Sequence, residues 1–204
     1  MKLLHLDSSN LGAFSASRIL SSEIVERQSV LYPGIRVRYR DLANDPALHL
    51  SGAYLAARQG QDIGQPQLAT QSDTGNAHVD EVSEADIVVI GTPMHNFSVS
   101  PHLKAWIDRI LVRGRTFEYS ETGKLKALLP PGKSIIVALT RCNNYQSGSP
   151  TAAFEHHESY LQDVLSFLGL HNVTFVRVEG LAFGSGSRDV AITRARAEIA
   201  AIMA

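Results

Sequence analysis

Cysteine is nearly missing from this chain: Cys142 is the only one in 204 residues. That excludes a disulfide framework and any cysteine-built metal site, and it suits a reducing cytoplasm. Charge of one sign is missing too, since 19 Lys and Arg stand against 20 Asp and Glu, a formal net charge of −1. Nothing in that balance draws nucleic acid or an anionic membrane surface. Long hydrophobic runs are also absent. The N-terminal MKLLHLDSS stops being apolar at Asp7, far short of a signal h-region or a spanning helix. The loop that follows has Gly12 as its only glycine, so it is neither G-x-G-x-x-G nor G-x-x-x-x-G-K-[ST]. There is no internal repeat and no low-complexity tract. The chain is expected to be a soluble, cytoplasmic protein forming one domain over 1–204, with 44% hydrophobic residues to build its core.

What is present is a regular alternation of apolar runs and helical patterns. Strands are expected near residues 2, 35, 87, 134 and 173, from Lys2–Leu6, Ile35–Tyr39, Ile87–Gly91, Ser134–Leu139 and Val173–Val178. The third and fourth are continuous apolar runs, as strands buried on both faces of a parallel sheet require. Helices are expected from Ser15 to about Leu31, over Asn76–Ala85, from Pro101, over Ala152–Leu168 and over Asp189–Met203. Leu42–Gln65 reads as a loose helical region, Gly64–Gly75 as a polar, turn-rich surface excursion, and Gly114–Leu129 as irregular. Five βα units with right-handed crossovers give an α/β, doubly wound parallel sheet of order 2-1-3-4-5 with helices on both faces.

Three loops at strand C-termini carry the chemistry. Ser9, Ser15 and Ser17 surround the start of the first helix, where free N–H groups and the positive helix end favour an anion. Ser15 also reads as a plain N-cap, the commonest use of a serine there. Hydroxyl donors without a P-loop lysine suit a monoester phosphate such as that of FMN. Met94-His95-Asn96-Phe97 offers N–H groups, an amide and an aromatic face to a flat heteroaromatic ring, or is an ordinary βα loop. Thr140-Arg141-Cys142-Asn143 is a second polar loop at a strand end. Arg141 there is either a solvated charge or an inward partner for an anion, and Cys142 reads as a buried small residue. Trp106 falls on the apolar stripe Leu103, Trp106, Ile107, Ile110, which makes it core or subunit interface. Tyr119 is either part of a solvated turn or one wall of a rim over the site. His156-His157 face different directions on a helix and do not make a metal pair.

The runs PMHNFSVSPHLKAWIDRI, RGRTFEY and HHESYL…FLG resemble the FMN-dependent NADH-azoreductase family, relatives of the NAD(P)H:quinone reductases, and the likeness runs from end to end. It implies a flavodoxin-like fold and a homodimer with active sites at the interface, one FMN per subunit, and NADH or NADPH as donor. It also implies two-electron, ping-pong reduction of quinones or azo compounds, with hydride passing through flavin N5. Residue by residue, the family's phosphate contacts fall on Ser9 and Ser15-Ala16-Ser17, and its ring contacts on Met94-His95-Asn96-Phe97. The second ring loop, usually S-R-G-G, reads Thr140-Arg141-Cys142-Asn143 here, so two side chains replace two glycines. Tyr119 is the candidate acceptor contact. The sequence demands no catalytic acid or base, because water can supply protons to the products. The competing class is a non-enzymatic flavodoxin-like electron carrier, usually shorter and strongly acidic. A relative whose flavin site is spoilt by Cys142 and Asn143 is the third reading.

Overall fold

The computed structural model describes residues 1–58 and 67–203, apart from the side chains of residues 57, 58 and 67–74. In chain order the elements are β1 (Lys2–Asp7), α1 (Ala16–Leu31), β2 (Arg36–Asp41), α2 (Gly52–Arg58) and α3 (Gln67–Glu84). Then follow β3 (Ile87–Pro93), α4 (Pro101–Ile110), β4 (Phe117–Tyr119), β5 (Leu125–Ala127) and β6 (Ser134–Thr140). The chain closes with α5 (Glu158–Phe167), β7 (Asn172–Val178) and α6 (Ser185–Ala200). The sheet order is β2-β1-β3-β6-β7 with every pairing parallel, which is the expected 2-1-3-4-5 once the β4–β5 hairpin is set aside.

Alternation along the central strands divides the core in two. Val88 and Ile90 of β3 point into the half shared with α3, α4 and α5, together with Leu103, Trp106 and Leu161. Ile87 and Val89 point the other way, against Leu20 and Ile24 of α1 and Ala195 and Ile199 of α6. Burying each large side chain contributes about 1.5–3 kcal/mol, which is why both faces of a parallel sheet carry helices. Trp106 is 2% exposed and belongs to this core. β2 lies at an edge, where Arg38 and Arg40 reach Glu81 of α3. Charged side chains along an edge strand discourage pairing with other chains.

Several boundaries differ from the sequence pattern. α3 begins at Gln67, so most of the expected Gly64–Gly75 excursion is helix, and Gly75 lies inside it. Of the loose helical region Leu42–Gln65, the described part holds only α2 as helix, and residues 59–65 lie outside the described residues. Gly114–Leu129 contains the β4–β5 hairpin. α5 starts at Glu158 and not at Ala152, because Glu155 takes the N–H groups of His157, Glu158 and Ser159 and caps the helix there. α6 starts four residues before Asp189 and ends at Ala200. Among the described residues no helix is long and apolar enough to cross a membrane.

Candidate functional site

β1, β3 and β6 are neighbours, so the loops leaving their C-terminal ends come together at the switch point of the sheet. The first loop runs from Ser8 through a 3₁₀ turn at Gly12–Phe14 to Ser15, which caps α1. Ser15 Oγ accepts from the Arg18 N–H at 3.4 Å and lies 3.0 Å from Ser17 Oγ. Ser9 Oγ accepts from the Leu11 N–H, and its carbonyl takes two bonds from the Arg18 guanidinium. Arg18 also grips Asp41 at the end of β2, which raises the arginine pKa and lowers that of Asp41. The guanidinium is therefore occupied, and the N–H groups of Ala16 and Ser17 remain without a protein acceptor among the described residues.

Beneath this loop lies a polar cluster in which His5, Asp7 and Ser21 are buried and Tyr39 is exposed at its edge. Ser21 Oγ donates to Asp7 Oδ1 at 2.7 Å, His5 Nε2 lies 3.0 Å from Ser21 Oγ, and Tyr39 Oη donates to Asp7 Oδ2 at 3.2 Å. Burial and the Asp7 carboxylate push the Tyr39 pKa to about 12. A Cβ on Gly91 would stand 2.1 Å from Asp7 Oδ1 and 3.0 Å from the Ser17 carbonyl, so only glycine lets β3 approach α1 this closely.

The second loop opens with two fixed rungs, Met94 N–H to the Thr140 carbonyl at 2.8 Å and His95 N–H to the Ser98 carbonyl at 2.9 Å. Between them Asn96 and Phe97 take φ values of 46° and 75°. Two consecutive non-glycine residues in the left-handed region cost on the order of 1 kcal/mol each. Neither N–H donates to a protein acceptor among the described residues. His95 is partly buried, and that burial together with neighbouring His102 lowers its pKa.

The third loop differs from expectation at Cys142. Arg141 takes the inward of its two expected placements, with carboxylates of this chain as the anions. It is buried and bonded to Glu179 and Glu155 at 2.8 Å each and to Glu158 at 3.3 Å. Cys142, expected to be buried, is exposed. The carbonyls of Cys142 and Asn143 accept from Ala182 and Gly180, so a fourth loop after β7 zips onto this one. The N–H groups of Cys142 and Asn143 have no protein acceptor among the described residues. Both residues have ordinary negative φ, since Asn96 and Phe97 are the positive-φ residues other than glycine.

Leu11, Phe14, Phe97, Phe154 and Phe183 are exposed apolar side chains on segments at this end of the sheet, and the Phe97 and Phe154 rings lie 5.3 Å apart. The structure thus brings together Ser9, Ser15, Ala16, Ser17, Met94–Phe97 and Thr140–Asn143. Tyr119 is not among them: it sits on the β4–β5 hairpin, where its ring meets Phe117, which packs on Phe167 at the end of α5. The sequence reading missed the fourth loop and the His156-His157 segment. His156 N–H donates to the Phe97 carbonyl, and buried His157 Nε2 lies 3.0 Å from Thr92 Oγ1. The one available signal was Glu155 and Glu158 beside two histidines, which were weighed only as a metal pair.

A doubly wound sheet with its open loops at the first and third strands has the architecture of the flavodoxins. A family model described as flavodoxin-like fold matches residues 1–203, and the chain belongs to that family. A protein named FMN-dependent NADH:quinone oxidoreductase from Xanthomonas campestris pv. campestris is 47% identical over 203 residues, 99% of each chain. One of the same name from Methylorubrum extorquens is 45% identical over 204 residues, the whole of both chains. Among solved structures, an azoreductase from Bacillus anthracis superposes with a TM-score of 0.86, covering 98% of this chain and 97% of that one. At 24% identity that likeness speaks for the fold alone.

Proposed function

We propose that this chain is an FMN-dependent oxidoreductase that takes electrons from NADH or NADPH and delivers them in pairs to a quinone or azo acceptor. The observation that carries the reading is the set of unpaired backbone donors at three adjacent strand ends: Ala16 and Ser17, Asn96 and Phe97, Cys142 and Asn143. The first pair, at the positive end of a 16-residue helix with no acid in its first turn, fits a phosphate monoester. The other two pairs, beside exposed Phe97, fit the polar edges of a flat ring. The donor set therefore suits FMN at both ends. Relatives above 40% identity along their full length carry an FMN-dependent name, which supports the same conclusion.

FMN, when bound, supplies the hydride-accepting chemistry at N5. The protein's part is to hold and polarise it. Ser9, Ser15, Ala16 and Ser17 seat the phosphate. Met94, His95, Asn96 and Phe97 would hold the N5/O4 side of the ring. Thr140, Arg141, Cys142 and Asn143 would hold its N1/O2 side, where N–H dipoles would favour negative charge. Arg141 acts through its loop, since its charge is taken up by three glutamates. One open pocket serves donor and acceptor in turn, which makes the kinetics ping-pong. The working unit is a homodimer of single 1–204 domains in the cytoplasm, with Tyr119 as the candidate contact for the acceptor. Exposed Phe14, Phe154 and Phe183 support an interface at this end. A non-enzymatic electron carrier is the weaker reading, because such carriers are acidic and this chain has a net charge of −1.

The test is an absorbance spectrum after adding FMN and desalting, followed by NADH without oxygen. A retained flavin band that bleaches, and returns on adding a quinone, is expected. A folded chain that holds no FMN would sink the reading.

A further inference from the structure

We infer that His157 is a positioning residue for the flavin ring loops: its side chain, with the Glu155–Arg141 pair behind it, clamps the left-handed Asn96–Phe97 turn against the third loop. The inference rests on the flavin reading of the site. An L residue holds a positive φ only where its surroundings over-determine it, and here two in a row do so. The constraint comes from residues 156 and 157. His157 Nε2 meets Thr92 Oγ1 at 3.0 Å just before the turn. The His156 N–H donates to the Phe97 carbonyl at 3.0 Å within it, and Ser98 Oγ donates to the His156 carbonyl at 3.1 Å just after it. A short segment thus grips the loop before, at and after its strained residues.

The segment is itself held from below. Glu155 Oε1 accepts the N–H of His157 at 2.9 Å and of Glu158 at 2.7 Å, and the same oxygen takes Arg141 Nη2 at 2.8 Å. Arg141 belongs to the third loop, and Glu179 on the far side of that loop holds its other nitrogen. The end of β3 and the loop that leaves it are therefore joined to the third loop twice, by the Met94–Thr140 backbone rung and by the chain Thr92–His157–Glu155–Arg141. His157 and Thr92 are both fully buried, so no water competes for their bond. Burial, with the Arg141 charge adding to it and Glu155 opposing, lowers the His157 pKa to about 3. The clamp stays neutral at working pH, and its hydrogen bond persists there.

The experiment compares His157→Leu and His157→Gln with the wild type by FMN dissociation constant, flavin midpoint potential, and hydrogen exchange of the residue 94–98 amides in the flavin-free chain. His157→Leu is expected to weaken FMN binding at least tenfold, to shift the potential, and to speed exchange at 94–98 while α1 keeps its protection. His157→Gln, whose side-chain nitrogen can reach Thr92 Oγ1, is expected to recover most of each effect. FMN affinity within twofold of wild type with unchanged potential and exchange overturns the inference. So does faster exchange spread evenly over the fold, the mark of a merely structural role. Should His157→Leu not fold, Thr92→Val removes the same bond at the same shape and is read the same way. A wild-type chain that holds no FMN sinks the proposed function instead, and exchange at 94–98 still decides the clamp.

Discussion

Cys142 and Asn143 stand where the family resemblance puts two glycines, and the structure shows what that exchange does. Neither residue needs a left-handed backbone, because both have negative φ. Their carbonyls are fixed to Ala182 and Gly180, and their N–H groups stay unpaired. Replacing both with glycine therefore relieves no strain and only adds freedom to the unfolded chain, at about 0.5–1 kcal/mol per residue. The double variant Cys142→Gly/Asn143→Gly is expected to lose roughly 1–2 kcal/mol of stability in a urea titration. FMN affinity should stay within about threefold of wild type, a change of about 0.7 kcal/mol. A tenfold tightening of FMN would show that the side chains do obstruct the ring.

Among the elements, the start of α1 combines two roles that one substitution separates. As an N-cap, Ser15 makes only a 3.4 Å bond to the Arg18 N–H, so Ser15→Ala should cost stability at the low end of the cap range, about 0.5–1 kcal/mol. As a phosphate donor its loss should weaken FMN about tenfold, the effect of about 1.4 kcal/mol, and leave riboflavin, which has no phosphate, unchanged. Titrating the variant with both flavins checks this; equal loss for the two would mean a distorted loop. Elements are also the scale at which the sequence was most legible. Ile87–Ile90 and Ser134–Leu139 announce buried parallel strands because no solvated face interrupts them, and their order follows from crossover handedness. The candidate loops follow from the strand ends in turn. The start of α3 was hidden because Gly75 looks like a breaker. The structure shows it as a packing glycine: a Cβ there would lie 3.1 Å from Tyr54 Oη and 3.8 Å from Arg109. The start of α5 was hidden because the group that ends the preceding turn is the side chain of Glu155, and helix propensity does not register it. The choice between the two readings of Arg141 was hidden for the same reason: its glutamate partners come from 14, 17 and 38 residues away.

For the molecule as a whole, buried histidines set the acid limit. Burial lowers His78 to about 4, with Arg40 and Arg109 adding to the effect and Glu81 and Asp45 opposing it. Burial likewise lowers His157 to about 3, with Arg141 and His95 adding and Glu155 opposing. Both are neutral in the folded chain at pH 7 and return to about 6.5 when it unfolds. The unfolded state therefore binds more protons below that value. The stability these groups contribute is full above about pH 6.5 and is lost as the pH falls from there toward the folded values, at up to about 1.4 kcal/mol per pH unit for each histidine. Glu155 acts lower. Burial raises its pKa, but three N–H groups and Arg141 outweigh that and hold it below the usual carboxylate value. Its contribution is present above the ordinary carboxylate pKa of about 4.3 and disappears only as the pH falls through its lowered value. Acid sensitivity should thus begin near pH 6, before the carboxylates titrate. Urea midpoints taken at pH 8, 7, 6 and 5 should be level between the first two and fall through the last two. His157→Gln, which cannot titrate, should remove at most about half of that fall, the rest belonging to His78 and His95, whose pKa values burial also lowers. Midpoints that stay level down to pH 5 would mean that both histidines admit a proton, or water, while the chain remains folded.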